Sequence, residues 1–156
     1  WESKGTDLVL QIAHKLKGIS PRYNIEWLGR WSEYEWDKAY FLDFVERNNL
    51  PITLTEWVDD LDAWLDKKNY LLHASKKEAF SFATAEAMAK GIKPILHHFY
   101  GAEHIWPGLT WTSIDQAVNA IHSDYYDSAS YRQYLVDHGY TLDQQMQRIE
   151  EEILNG

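Results

Sequence analysis

The sequence predicts an α/β domain: a parallel sheet covered by helices on both faces. Short, nearly continuous apolar runs alternate with segments of helical spacing, the pattern of strands buried on two sides. The stretch from Ser75 through Glu78 and Glu86 to Gly91 reads as a strand end, a polar loop and a helix closing on glycine. Such a strand-to-helix turn aims backbone N–H groups and a helix dipole beyond the strand ends, which suits an anion.

Bulk properties bound the possibilities. A chain of 156 residues is one domain able to bury roughly 70% of its unfolded surface. Its 45% hydrophobic and 25% charged content is that of a soluble globular domain. The net charge of −9 argues against nucleic acid or an anionic membrane surface as partner, since both need a basic face. Any bound phosphate must therefore be held by local groups. Without cysteine there is neither a disulfide framework nor a thiolate metal site. No run reaches the length of a membrane span and no signal peptide is visible, so a cytoplasmic location is expected. Eight Trp and ten Tyr point to core and cleft walls, or to a carbohydrate-stacking surface.

Taken in order, residues 1–5 form a loop ending in Lys4 and Gly5. A helix begins at Thr6 or Asp7, carries Leu8, Val9, Ile12, Ala13 and Leu16 on one face, and stops at Gly18 and Pro21. Residues 24–28 form a strand ending at Gly29, and a loop with Arg30 leads to a helix over 34–48. That helix is expected to turn Tyr40, Phe41, Phe44 and Val45 inward. Residues 52–55 are the next strand, followed by a loop holding Trp57 and Val58. Asp60 caps a short helix with Leu61, Trp64 and Leu65 on one side. Residues 70–74 lead into the anion-site turn, whose helix spans 82–90 with Gly91 as its closing residue. Residues 93–97 and 109–111 are strands flanking a loop with one helical turn. Ser113 and Gln116 form a capping box. Helices over 128–137 and 142–154 end the chain, the last with an inward stripe of Leu142, Met146, Ile149 and Ile153.

In such folds ligands sit beyond the carboxyl ends of the strands. The candidate loops there hold Arg30, Trp57, Val58, residues 75–81 and residues 97–103. Lys4, beside a glycine that permits close approach, can reach a phosphate as a point charge; a solvated surface lysine is the other reading. Glu86 stands among Ala85, Ala87, Met88 and Ala89, and a glutamate in such company needs a partner, such as a ribose diol or a nearby cation. Glu78 is a loop acid after Lys76 and Lys77. His97, His98 and His104, with His73 on a neighbouring strand, invite a metal reading. His97 and His98 point to opposite faces of an extended run, however, and no cysteine or acid completes a zinc site.

Lys4-Gly5, the Ser75-x-x-Glu78 loop, the Glu78-x7-Glu86 spacing, the Glu86-Ala87-Met88-Ala89-x-Gly91 tail and Lys93-Pro94-Ile95 together resemble the C-terminal domain of a GT-B glycosyltransferase of family 4. That resemblance runs from Lys4 to about Ile121. It implies a Rossmann-like sheet whose first strand is missing, in a fragment of a longer two-domain protein with residues 128–154 as its C-terminal helices. It further implies a retaining, metal-independent transferase with no cofactor, using a UDP-, GDP- or ADP-sugar as donor. An absent N-terminal domain would bind the acceptor, so the isolated chain would be inactive, and that missing part could associate with a membrane. By the resemblance Lys4 contacts the diphosphate, Glu78 the hydroxyls of the transferred sugar, and Glu86 the ribose. Amides of Ser81, Phe82 and Ala83 meet sugar and phosphate, and Trp57 and Val58 lie against the base. The chain departs from the family pattern at Ser81, where the family has glycine, and at Tyr100 and His104, where a Gly-Gly-x-x-Glu run is usual. Two other readings remain: a sugar-nucleotide epimerase relative, and a non-catalytic flavodoxin-like or receiver-like module that binds a nucleotide or a protein.

Overall fold

The computed structural model describes residues 4–29, 31, 35–123 and 125–155. Arg30 and the expected helix start at Tyr34 lie outside them. Helices and strands alternate as the apolar pattern demands: α1 (Thr6–Ile19), β1 (Ile25–Leu28), α2 (Glu35–Arg47), β2 (Ile52–Thr55), α3 (Leu61–Leu65), β3 (Tyr70–His73) and α4 (Phe82–Ala89). After these come β4 (Lys93–His97), α5 (Ala102–Ile105), β5 (Thr110–Trp111), α6 (Ile114–His122), α7 (Ser128–Asp137) and α8 (Leu142–Asn155). Every strand pair is parallel. β1 pairs with β2, and β3, β4 and β5 form a second group in that order. The fold is thus a Rossmann-like α/β arrangement with helices on both faces.

Alternation along each strand sends neighbouring side chains to opposite layers. Ile95 packs with Ile12, Leu16, Trp111, Val118 and Ile121 under α1 and α6. Its neighbour Leu96 packs on the other face with Met88 of α4, Trp106 just after α5 and Tyr131 of α7. α1 also covers the β1–β2 group, where Leu10 and Ala13 meet Phe41 of α2. In that group Trp27 and Trp31 stack with centroids 5.8 Å apart.

Local signals fix the helix ends. Asp60 accepts from the Ala63 N–H. The Ser113–Gln116 capping box is formed in both directions. Gly91 takes the left-handed φ of 81° that closes α4.

Two inward assignments are corrected. Tyr40 is exposed while its neighbour Phe41 is fully buried, because a step of about 100° around α2 turns Tyr40 away from the sheet. The stripe of Leu142, Met146, Ile149 and Ile153 is exposed as well. α8 meets the rest of the molecule through polar contacts near its start, such as Gln144 Nε2 to the Val136 carbonyl, and none of its residues enters a core.

Candidate functional site

Three segments, the first far in sequence from the other two, converge at the carboxyl ends of the strands. The first is the turn into α1. Gly5 has a φ of 65°, and a Cβ there would overlap the carbonyl oxygen of Ala74 at the end of β3. Only glycine allows this approach, and it seats Lys4 beside the β3 loop. The second is that loop. Glu78 Oε2 lies 3.4 Å from Lys4 Nζ and 3.5 Å from His73 Nε2. The third is the start of α4. The Thr84 N–H bonds the Ser81 carbonyl at 3.0 Å, so the amides of Phe82 and Ala83 precede the intrahelical ladder.

Charge in this cluster is set by competition. Burial alone would raise the Glu78 carboxyl. The Lys4 ammonium, its hydrogen bond, the Ala79 N–H and His73 outweigh that and hold the carboxyl below its ordinary value. Burial lowers His73 below the ordinary histidine value although Glu78 pulls it up, so the ring is held in its neutral form. Its Nδ1 is buried with no hydrogen-bond partner. His97 is likewise lowered by burial, and its Nδ1 faces the Ser75 carbonyl at 3.3 Å. Neutral imidazoles, amide N–H groups and one ammonium around an ionised carboxylate form a site that donates hydrogen bonds and receives hydroxyls.

Ser81 has a φ of 68°, in the left-handed region that favours glycine. A non-glycine residue costs roughly 1–2 kcal/mol there. Its hydroxyl is buried against that of Thr84 at 2.8 Å, a bond that helps to hold the conformation. The backbone shape expected of glycine is therefore kept by serine. Phe82, one residue on, has its ring 74% exposed at the rim.

The structure brings some expected residues together and leaves others apart. Lys4, Ala83 and Glu86 line one cavity with His73 and Ser75. The Glu86 carboxylate has no hydrogen-bond or ion-pair partner among the described residues. Trp57 and Val58 follow β2 at the far edge of the sheet, with Trp57 71% exposed and joined to none of the Lys4–Glu78 contacts. Tyr100, after β4, is 99% exposed. The segments that follow three strands thus each carry an exposed aromatic residue: Trp57 after β2, Phe82 at the start of α4 and Tyr100 after β4.

Of the histidines, His98 and His104 both flank Glu103, at 3.9 and 3.8 Å. No group of three His, Asp or Glu side chains is arranged to hold a metal among the described residues.

Sequence reasoning gives His73, as one of four histidines, only a polar role at the cleft rim for one of them beside the metal alternative, and gives Thr84 none. The available signals are modest. His73 ends a strand at the ligand edge, and Thr84 stands one turn after Ser81. The described helices include none long and apolar enough to cross a membrane. No protein-family model matches the chain, and no curated protein matches it closely enough to count as a relative. What the geometry establishes is a generic α/β fold of the nucleotide-binding type with a polar cluster at its ligand edge.

Proposed function

We propose that this chain binds a nucleoside-diphosphate sugar at the carboxyl rim, as the donor-binding domain of a retaining glycosyltransferase of the family 4 type. One observation carries the binding half. Lys4 and Glu78, 74 residues apart in sequence, meet at 3.4 Å beside the amino end of α4. A diphosphate would replace Glu78 as the anion facing Lys4, with the Phe82 and Ala83 amides on its other side. Glu78, released from Lys4, would accept from sugar hydroxyls. Glu86 would accept from the ribose. Cleavage of the sugar–phosphate bond builds negative charge on the leaving diphosphate, and Lys4 with the α4 terminus would stabilise it electrostatically.

The transfer half rests on the sequence resemblance. A second reading, a non-catalytic nucleotide-binding module, is favoured by the make-up of the cluster. Its groups are a cation, amides, neutral imidazoles and two carboxylates, all of which serve binding whether or not a bond is broken.

Titration with UDP, GDP, ADP and their glucose, mannose and N-acetylglucosamine derivatives, followed by amide shifts, tests the proposal. One nucleotide series should bind selectively, with affinity reduced about tenfold or more, on the order of 1.4 kcal/mol, in Lys4→Ala and in Glu86→Ala. The absence of any response from a folded chain would end the nucleotide reading. A plain nucleotide binding as tightly as all its sugar derivatives would favour the non-catalytic module. The isolated chain should show no sugar transfer.

A further inference from the structure

One oxygen of Glu78 serves two donors. Its Oε2 lies 3.4 Å from Lys4 Nζ and 3.5 Å from His73 Nε2. The carboxylate is thus shared, at long distance, between a permanent cation and a ring that can become one. The two donors come from different segments: Lys4 from the turn into α1, and His73 from the last position of β3. The His73 side chain is only 10% exposed. With Nε2 turned to Glu78, Nδ1 is the position still open to a proton, and it is buried without a partner among the described residues. Buried polar atoms are rarely left unpaired, so this one calls for a reason.

We propose that His73 couples ligand binding to a proton. When a diphosphate takes Lys4 away from Glu78, His73 takes up a proton from solvent and becomes the cation facing Glu78. It then keeps that carboxylate in position for the sugar hydroxyls. His73 is a positioning residue, acting through Glu78. This role rests on the nucleoside-diphosphate reading above, and it adds a residue and a proton to that site.

The direction follows from which forces change. Burial holds His73 below its ordinary value, Glu78 pulls it up and Lys4 pushes it down. The ring is already buried in the free chain, so a ligand adds little further desolvation. What it adds is charge. A nucleoside-diphosphate sugar carries one negative charge on each phosphate, and neither titrates near neutrality, since only a terminal phosphate does. Seated against Lys4, it offsets the cation that pushes His73 down and brings further negative charge beside the ring. Both changes favour the charged imidazole.

Few other groups compete. From α4, Glu86 lines the same cavity as His73 and also favours a positive ring. His73 shares its register with Leu96 of β4, so His97 points to the opposite face, with its Nδ1 at the Ser75 carbonyl. Lys76 of the loop after β3 is engaged by Asp7 of α1 at 2.9 Å. The segment after β4 presents the uncharged ring of Phe99, 6.3 Å from that of His73.

A proton held more tightly in the complex than in the free chain strengthens binding at lower pH. Affinity rises as the pH falls through the value of the complex and levels off below that of the free chain. Isothermal titration with the glucose, mannose and N-acetylglucosamine derivatives of UDP, GDP and ADP, in buffers of different ionisation enthalpy, counts the protons. The series that binds should take up most of one proton per ligand near pH 6.5 and bind about fivefold more tightly at about pH 6 than at about pH 8. In nuclear magnetic resonance of labelled histidine rings, His73 alone among the seven histidines should turn from neutral to charged as ligand is added. His73→Gln keeps a neutral donor near Glu78 but cannot be charged, so its binding should lose both the uptake and the pH dependence. Lys4→Met, in the unliganded chain, imitates the loss of the cation and should raise the titration midpoint of His73 without any change to that residue. Binding without proton uptake, uptake lodged on another histidine, or a His73 midpoint unmoved in Lys4→Met would each overturn the coupling and leave the nucleotide reading standing. No response of the folded chain to any of these ligands would end that reading and the coupling with it.

Discussion

The two rims of the sheet use lysine in opposite ways. At the amino rim, Lys93 is buried, and its ammonium donates to the Ala120 carbonyl, the Ser123 hydroxyl and the Tyr125 carbonyl at 2.7–2.9 Å. Around it Arg132 holds the Lys90 carbonyl and Tyr126 holds that of Gly91. At the carboxyl rim, Lys4 is mostly exposed and has one loose contact among the described residues, to Glu78 at 3.4 Å. A lysine with three short acceptors is structural, since its removal strands those acceptors. A lysine with one long, exchangeable acceptor is free to change partner. The same residue type marks stability on one rim and readiness for a ligand on the other.

The largest expected effect comes from the one point where the carboxyl rim is tightly built. Gly5→Val should lower unfolding stability by on the order of 3 kcal/mol in urea melts, because it adds both strain at positive φ and overlap with Ala74. A loss under about 1 kcal/mol would mean that the close approach is not kept. Next is the lysine pair itself. Lys93→Met should cost about 2 kcal/mol, with carbonyls left unpaired, while Lys4→Met should stay within about 0.5 kcal/mol. Equal losses would erase the contrast between the rims.

The smallest effect is on acidification. His73 sits below its ordinary value of 6.5, so the unfolded chain takes up that proton first, and stability should fall as the pH drops below about 6.5. The Glu78 carboxyl is also lowered. Its contribution is present above the unfolded glutamate value and is lost as the pH falls through the folded one. Melts between pH 4 and 8, at about half-unit steps, should show the upper part of this slope disappear in His73→Phe and the lower part weaken in Glu78→Gln.

Much of the fold is legible in the sequence because its signals are local. Residues 52–55 and 93–97 are strands at their expected bounds: each follows a turn signal, Pro51 in one case and Gly91 in the other, and holds β-prone residues such as Ile52 and Thr53 or an apolar pair such as Ile95 and Leu96. Asp60 and Ser113 cap helices through bonds made within three residues. What escapes is non-local. Nothing near Tyr40 tells which side of α2 meets the sheet, as its neighbours at that spacing are aromatic too. The α8 stripe has the spacing of a core face, but spacing cannot say whether a partner surface exists. At the site, Lys4, Glu78 and Glu86 are readable as candidates, yet the His73 contact with Glu78 depends on a strand ending beside a loop, which no residue pattern encodes.

The stacked Trp27 and Trp31 have a use as an optical label. Two indoles 5.8 Å apart couple their electronic transitions, while Trp106 and Trp111 sit in the cores on either face of the three-stranded group. Near-ultraviolet circular dichroism of the coupled pair therefore follows the two-stranded half, and the emission of a variant that keeps only Trp106 and Trp111 among the eight tryptophans follows the other. During denaturation the two signals should separate, because among the described residues the two strand groups share no ladder and can open as distinct cooperative units.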